Sequence, residues 1–334
     1  QCGEKQILKR MCFNQLETNI HSFDNYDNKL QEKYIELLAL LDTPLTKVES
    51  EKTAVALTLI SNYIETTKYL GLDQNNKWWW VQHPKLRYSK ESQKMTIVIN
   101  DETTEFGWEL WGKIRPAIMT PSMQRSIHSA ASDKNSMILG SHGTGRRTCI
   151  ENLAMLYGRY LYHVPAFPDF SELVITRIIS GVSMMGAWAL FADIDQLPSS
   201  AISKLYDQIY IHSDGLQSGL TRIMIDGKPT ELNSASRIFF TTSSSPTELP
   251  SQFKAKAKPV ALSAPERKVL IEIQLTAFGF KTAKSLSPKI DSVLPLIVLS
   301  FKNQLFSKSI FAHISYIIKE MKNLAMEVRD QSFT

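Results

Sequence analysis

The chain has 334 residues, 43% of them hydrophobic and 21% charged, which is the balance of an ordinary soluble globular protein of roughly two domains. A formal net charge of +5 is spread along it, and the densest basic stretch, Lys254, Lys256 and Lys258, is too short for a nucleic-acid backbone track. The longest apolar run, Val293 to Leu299, contains Pro295 and falls far short of the ~20 residues a membrane helix needs, so neither nucleic acid nor membrane is expected as a partner.

From the start to about Asn76 the chain is rich in Glu, Lys, Leu and Ile. Tyr34, Leu37, Leu38 and Leu41 recur at helical spacing, as do Val55, Leu59, Ile60, Tyr63 and Ile64, so two or three amphipathic supporting helices are expected. Trp78, Trp79 and Trp80 mark a transition, followed by a strand at Thr96 to Ile99 and an aromatic patch of Phe106, Trp108 and Trp111 suited to a core or interface. Between about Ala117 and Leu262, strands alternate with helices. Met137 to Leu139, Tyr160 to Val164, Trp188 to Phe191 and Arg237 to Thr241 read as strands. Thr148 to Tyr160, Ser171 to Met185 and Ser199 to Tyr210 read as helices, and Asp226-Gly227 turns a hairpin between Ile223–Ile225 and Thr230–Leu232. Such alternation predicts a mostly parallel sheet covered on both faces. From about Ala264 the chain is helical again, opening with Leu270, Ile273, Gln274 and Ala277 and closing with Ile310, Ile314, Ile317, Ile318, Met321 and Leu324.

Cys2, Cys12 and Cys149 fit neither a zinc pattern nor a disulfide framework, which suits a reducing compartment. The seven histidines are scattered and read as surface or packing residues, so no metal site is expected from them. The start at Gln1, without a signal-peptide pattern, leads to the expectation of a piece of a longer polypeptide.

The most informative stretch is Gly140-Ser-His-Gly-Thr-Gly-Arg-Arg-Thr148, placed after an apolar strand and before a helix. Glycines let a backbone curl so that its N–H groups point inward, and the helix adds its positive end; together they suit a phosphate. Against the pattern G-x-x-x-x-G-K-[ST], Gly140 and Gly145 hold the glycine places, Arg146 stands for Lys and Arg147 for Ser or Thr. Arg is bulkier and forked where Lys is a compact charge, and a guanidinium cannot ligate Mg²⁺ as a hydroxyl does. Thr148 could serve only if the loop shifted by one residue.

Other segments, in order, make the region from Trp78 to about Lys284 resemble the first AAA+ module of dynein heavy chains. They are Glu105-Phe-Gly-Trp-Glu-Leu-Trp-Gly112, Thr120-Pro121, Gly143-Thr144-Gly145, Gly186-Ala187-Trp188 with Phe191, Gly219-Leu220-Thr221-Arg222 with Gly227, Ile238-Phe239 with Thr241, Thr247-Glu248-Leu249-Pro250 and Pro259-Val260-Ala261. The resemblance implies an AAA+ P-loop α/β fold with three parts: a helical linker end and transition over 1–104, a large α/β subdomain over 105–262, and a small helical subdomain over 263–334. It implies ATP or ADP as ligand, held by Gly140, Gly143, Thr144, Gly145, Arg146, Arg147 and Thr148, with Thr120 and Pro121 on the adenine side.

Departures from the family pattern carry as much information. After the GAWxxF strand the family has Asp-Glu, an acid for the magnesium shell and one that orients water; here those places hold Ala192 and Asp193. Asp193 is the remaining catalytic candidate, with Asp195 close behind; shifting the register to make Asp193 the metal acid leaves Ile194 in the second place. The sensor Asn is matched by Ser243, and the arginine finger by Lys258 of Lys256-Ala257-Lys258-Pro259. A sensor Arg is not legible in the last helix, where His313 and Ile314 fall near its place. These changes argue against a bound magnesium ion and predict a pseudo-ATPase, most similar to the divergent dynein heavy chain domain-containing proteins of cilia and sperm flagella. The resemblance then implies other AAA+ modules of the same chain, intermediate and light chains and microtubules as partners, in cytoplasm and cytoskeleton and in an axoneme. The alternative is an active motor module in which Asp193 and Asp195 rebuild the acidic pair.

Overall fold

The structure is a computed structural model that describes residues 23–41, 46–72, 84–88, 93–99, 102–109, 117–132, 135–243, 251–278, 280, 282–300 and 320. In chain order, α1 (Phe23–Leu40) and α2 (Lys47–Leu72) precede β1 (Lys85–Tyr88), β2 (Met95–Ile99) and β3 (Glu102–Glu105). Then come α3 (Pro121–Ala131), β4 (Asn135–Leu139), α4 (Arg146–Tyr157), β5 (Leu161–Pro165), α5 (Glu172–Met185) and β6 (Trp188–Ala192). A short 3₁₀ turn (Ile194–Gln196) leads to α6 (Ser199–Gln217), β7 (Arg222–Ile225), β8 (Lys228–Glu231) and β9 (Arg237–Thr242). Last are α7 (Ser251–Lys256), β10 (Lys258–Ala261), α8 (Arg267–Ala277) and α9 (Ala283–Ser300). The expected features at Trp78–Trp80, Trp111, Thr247–Pro250, the closing apolar stripe from Ile310, and Cys2 and Cys12 lie outside the described residues. Among the described residues, no helix is long and apolar enough to cross a membrane.

These elements form two compact units. The helical unit contains α1, α2, residues 117–120, α8 and α9. Of the stripe expected on α2, Leu59, Ile60 and Tyr63 are buried and Val55 and Ile64 partly buried, while Leu57, outside that stripe, is buried as well. Asn62 holds the 117–119 strip by donating to Ala117 O at 2.8 Å and accepting from Met119 N at 2.9 Å. In the same unit, Ile271 and Leu275 of α8 pack on Ala283 of α9, and Arg267 pairs with Asp291 at 3.2 Å.

The α/β unit is built on a five-stranded, wholly parallel sheet in the order β10-β4-β9-β6-β5. β4, β6 and β9 are buried along their whole length. Parallel strands covered on both faces favour apolar runs over alternation, as in Met137–Leu139, Trp188–Ala192 and Ile238–Phe240, while the polar strand ends are hydrogen-bonded, Ser136 donating to Ala130 O and Asn135 accepting from Ile238 N. Trp188 anchors the centre: its ring lies 5.2 Å from those of Tyr157 and Phe239, and its Nε1 donates to Ala235 O at 3.0 Å. The Arg237 guanidinium stacks on the Tyr157 and Trp188 rings and donates to Ala131 O. A three-stranded antiparallel sheet, β1-β2-β3, belongs to the same unit. Its outer strands, Lys-Leu-Arg-Tyr and Glu-Thr-Thr-Glu, are too polar to be read as strands from hydrophobic pattern alone.

Two helices differ from expectation. α4 ends at Tyr157, not Tyr160, because Gly158 adopts φ +62° as a left-handed cap, and a Cβ there would lie 2.4 Å from the Phe106 ring. α6 runs on to Gln217 through the polar stretch His212-Ser213-Asp214-Gly215, because this stretch is partly interior. His212 bonds Ser236 Oγ at 2.9 Å, and at Gly215 a Cβ would meet Ile223 at 2.4 Å, so β7 packs directly on the helix backbone. The expected hairpin is β7–β8, with φ +47° and +71° at Asp226 and Gly227, the double positive pair of a tight hairpin turn. Asp226 also accepts from Thr176 Oγ1 at 2.9 Å and from Lys204, tying the turn to α5 and α6.

His128 of α3 is buried, and burial alone pulls its imidazole down to about 4 from the ordinary 6.5. The folded state therefore resists protonation that the unfolded chain accepts below pH 6.5. Its contribution to stability is intact above pH 6.5, falls as pH drops through the window from 6.5 to about 4, and is fully lost below that. Urea unfolding at pH 7.5 and pH 5 should show a loss of about 2 kcal/mol on acidification that His128→Phe abolishes.

Candidate phosphate-binding site

The glycine loop joins the buried end of β4 to α4, as its sequence context demands. Gly143 and Gly145 take φ +83° and +93°, conformations that β-carbon-bearing residues rarely adopt. Gly140 has a different reason to be glycine: a Cβ there would lie 2.7 Å from Leu262 O and 2.9 Å from Thr144 Oγ1. Its N–H donates to Thr242 O at 3.3 Å, fixing the loop against the end of β9. Thr144 is buried and turns its hydroxyl back onto Ser141 O at 2.9 Å. Thr148 lies within the first turn of α4, where its carbonyl accepts from Asn152 Nδ2. Pro121 opens α3, whose Met123 Cε would lie 3.1 Å from a Cβ on Gly145, so the first turn of that helix rests on the loop. Thr120 is buried and belongs to the helical unit.

The decisive geometry lies across the sheet. β4, β9 and β6 are neighbours, so the loop after β4 and the residues after β6 emerge at the same edge. There Arg146 Nη2 donates to Asp193 Oδ1 at 2.8 Å, and Arg147 Nη2 donates to Asp193 Oδ2. One carboxylate thus holds two guanidiniums, one oxygen each. Arg146 and Asp193 are buried, with 6% and 12% of their side chains exposed, whereas Arg147 is 53% exposed. Arg146 Nη2 also lies 3.2 Å from His142 Nδ1, while its buried Nη1 has no hydrogen-bond partner. Burial pulls the Arg146 guanidinium down from its ordinary value, opposed by Asp193 and Asp195, and neighbouring Arg147 adds to the lowering.

Asp193 itself sits at φ +59°, ψ +54°, its N–H donating to Thr241 Oγ1 at 2.9 Å. The left-handed backbone is uncommon for a non-glycine and turns its side chain back toward the loop. Ala192, the last residue of β6, is buried and offers no side-chain oxygen. Asp195 does not share the arginines; it accepts from Ser243 Oγ at 2.7 Å and Ser243 N at 3.3 Å. Burial works to raise its carboxyl, but hydrogen bonds from Ser243, its own backbone and Thr242 leave it below the ordinary range. Ser243 therefore comes to the site edge through Asp195. Lys258 does not come to this loop. It pairs with Ser136 at the start of β4, the opposite end of a parallel sheet from Gly140. His313 and Ile314 lie outside the described residues.

The loop fits a phosphate: backbone curl, helix N-terminus and a buried guanidinium with an unmade bond all favour an anion. Magnesium does not fit. A guanidinium stands where a hydroxyl would ligate, an alanine stands at the strand end, and the nearest carboxylate is held by two cations. Cys149, four residues into α4, is fully buried, and burial pushes its thiol up to about 12. At pH 8 roughly one thiol in 10⁴ is then ionised, so iodoacetamide should leave Cys149 unmodified until the protein is unfolded, as peptide mapping would read.

Comparison with known proteins bears on this site. The family described as "Hydrolytic ATP binding site of dynein motor region" matches residues 106–331. Human dynein axonemal heavy chain 10 is 25% identical over 300 residues, covering 86% of this chain and 6% of that protein. The cytoplasmic dynein heavy chain of Eremothecium gossypii is 25% identical over 85% of this chain and 7% of its own length. Human cytoplasmic dynein 2 heavy chain 1 is 27% identical over 75% and 6%. The chain thus spans only 6 to 7% of the length of these relatives. Among solved structures, a mutant of RuvB from Thermotoga maritima overlays with a TM-score of 0.34 at 11% identity, covering 60% of this chain and 68% of that one, a likeness too weak to bear on the fold.

Proposed function

The chain belongs to the dynein motor-region family of hydrolytic ATP-binding modules, and on that premise we propose that it is an AAA+ module whose hydrolysis has been lost while its loop keeps affinity for a nucleotide. One observation carries this reading: the Asp193 carboxylate is taken up by Arg146 and Arg147, and the preceding position, Ala192, has no acid. A positioned base is worth ~10²–10⁴ in rate, and a metal on the transferring phosphoryl group several kcal/mol more. Losses of parts that act together are not additive, but losing both leaves turnover near the uncatalysed level. The phosphate loop, with Gly140, Gly143, Thr144, Gly145 and Arg146, would hold ATP or ADP. Asp193 then serves as a partner for arginine and not as a base, Ser243 acts on Asp195, and Lys258 faces away from this loop toward whatever adjoins the other end of the sheet. The surrounding protein would be a dynein-type heavy chain with further AAA+ modules, intermediate and light chains and microtubules, in cytoplasm, cytoskeleton or axoneme. The axonemal and cytoplasmic names of its relatives support that setting.

A phosphate-release assay on the full chain tests the reading. The expected result is a rate unaltered by Asp193→Asn. Motor-like release that this substitution abolishes would overturn it, in favour of an active motor module.

A further inference from the structure

The arginine pair excludes a metal yet leaves the site strongly selective for anions. Arg146 is packed in place with Nη1 unbonded, at the head of a 12-residue helix and beside a glycine that admits no Cβ. Buried donors without partners are rare, and this one belongs to the residue that opens α4 directly after the loop, its Cδ 3.7 Å from where a Cβ on Gly140 would lie. The anion that now occupies the two guanidiniums is Asp193. It is a monoanion with two oxygens, each already spent on one arginine. A terminal phosphate carries more charge and three oxygens, and so can satisfy Arg146 Nη1 as well. The two arginines differ in freedom. Arg146 is 6% exposed and fixed; Arg147 is 53% exposed and can swing its head group without disturbing any packing.

We propose, resting on the non-hydrolysing reading above, that this site takes a nucleoside polyphosphate free of divalent cation: the ligand draws Arg147 away from Asp193, the arginine pair does the neutralising that a metal does elsewhere, and Asp193 is a built-in competitor for the same guanidiniums. An incoming Mg²⁺ complex would bring its cation against the fixed charge of Arg146 and the nearby charge of Arg147, so the metal-free ligand is the better fit.

The test is photolabelling of the full chain with 8-azido-ATP, mapped to the peptide of Pro121 and α3, which the family resemblance puts on the adenine side and whose first turn rests on the loop, in EDTA and in Mg²⁺. Half-saturation in EDTA should come at a concentration no higher than in Mg²⁺. Asp193→Asn should lower it by about tenfold, because the competing charge is gone, and Arg147→Ala should raise it by about tenfold, the worth of one charge-assisted bond. A requirement for Mg²⁺, weaker labelling of Asp193→Asn, or no labelling of the α3 peptide in either condition would overturn the proposal. If Asp193→Asn fails to fold, Arg147→Ala decides, since its side chain is half in solvent: unchanged labelling of that variant overturns the proposal. Phosphate release read on the same samples separates the two readings. Turnover in Mg²⁺ that Asp193→Asn abolishes sinks the non-hydrolysing reading, whereas metal-free labelling bears on the arginine pair alone.

Discussion

Replacing four side chains together, Arg146→Lys, Arg147→Thr, Ala192→Asp and Asp193→Glu, should raise phosphate release by at least ~10²-fold over the unaltered protein. Lys returns a compact charge that reaches the outer phosphates, Thr returns a hydroxyl that can ligate Mg²⁺, Asp returns the acid of the metal shell, and Glu returns a carboxylate long enough to orient water. The backbone that would carry them is in place, with the loop closed on β9 by Gly140 and β6 ending beside it. Single replacements should recover almost nothing, because groups that act as a unit do not contribute separately. Ala192→Asp alone should also destabilise the fold, since that position is buried and the new carboxylate would lack a cation. A quadruple variant that unfolds at the parental temperature and binds nucleotide, yet releases phosphate no faster, would count against the proposed loss of hydrolysis at these four positions.

Asp193→Ala should cost about 3–5 kcal/mol of stability, far more than a typical substitution. The reason is not the energy of the ion pair but what its loss leaves behind. Arg146, 6% exposed, would keep its charge in a site pulled dry by packing, with His142 as the remaining neighbour of Nη2 and Asp195 acting only through its charge. Arg147 would suffer little, since water already reaches it. Two controls separate these terms in urea unfolding. Arg147→Ala should cost no more than about 1 kcal/mol, as a half-exposed partner does. The double replacement Arg146→Met with Asp193→Leu should recover most of the loss, because apolar groups need no counter-ion. If Asp193→Ala unfolds at the same urea concentration as the parent, the buried pair is not holding the loop to the strand.

Much of the α/β unit was legible in the chain itself. The apolar runs at Met137, Trp188 and Arg237–Thr241 became the central strands, and the Asp226-Gly227 turn became the hairpin, since strand burial and turn dihedrals are written in local residue type. β1 and β3 were missed because strands on a small sheet with one solvated face carry little apolar signal. The length of α6 was missed because the burial of His212 and Gly215 depends on the hairpin packed against them.

The site divides in the same way. Residue type alone led to the expectation that Gly140 and Gly145 frame a phosphate loop, that arginines stand where the family pattern has a lysine and a hydroxyl, and that Ala192 interrupts the acid pair, because each is a statement about one side chain and its neighbours in sequence. That both arginines close on Asp193, 47 and 46 residues away, was decided only by the parallel order β4-β9-β6. Charge pairing has no period along a chain: attraction falls with distance in space, and it is the sheet that sets the distance.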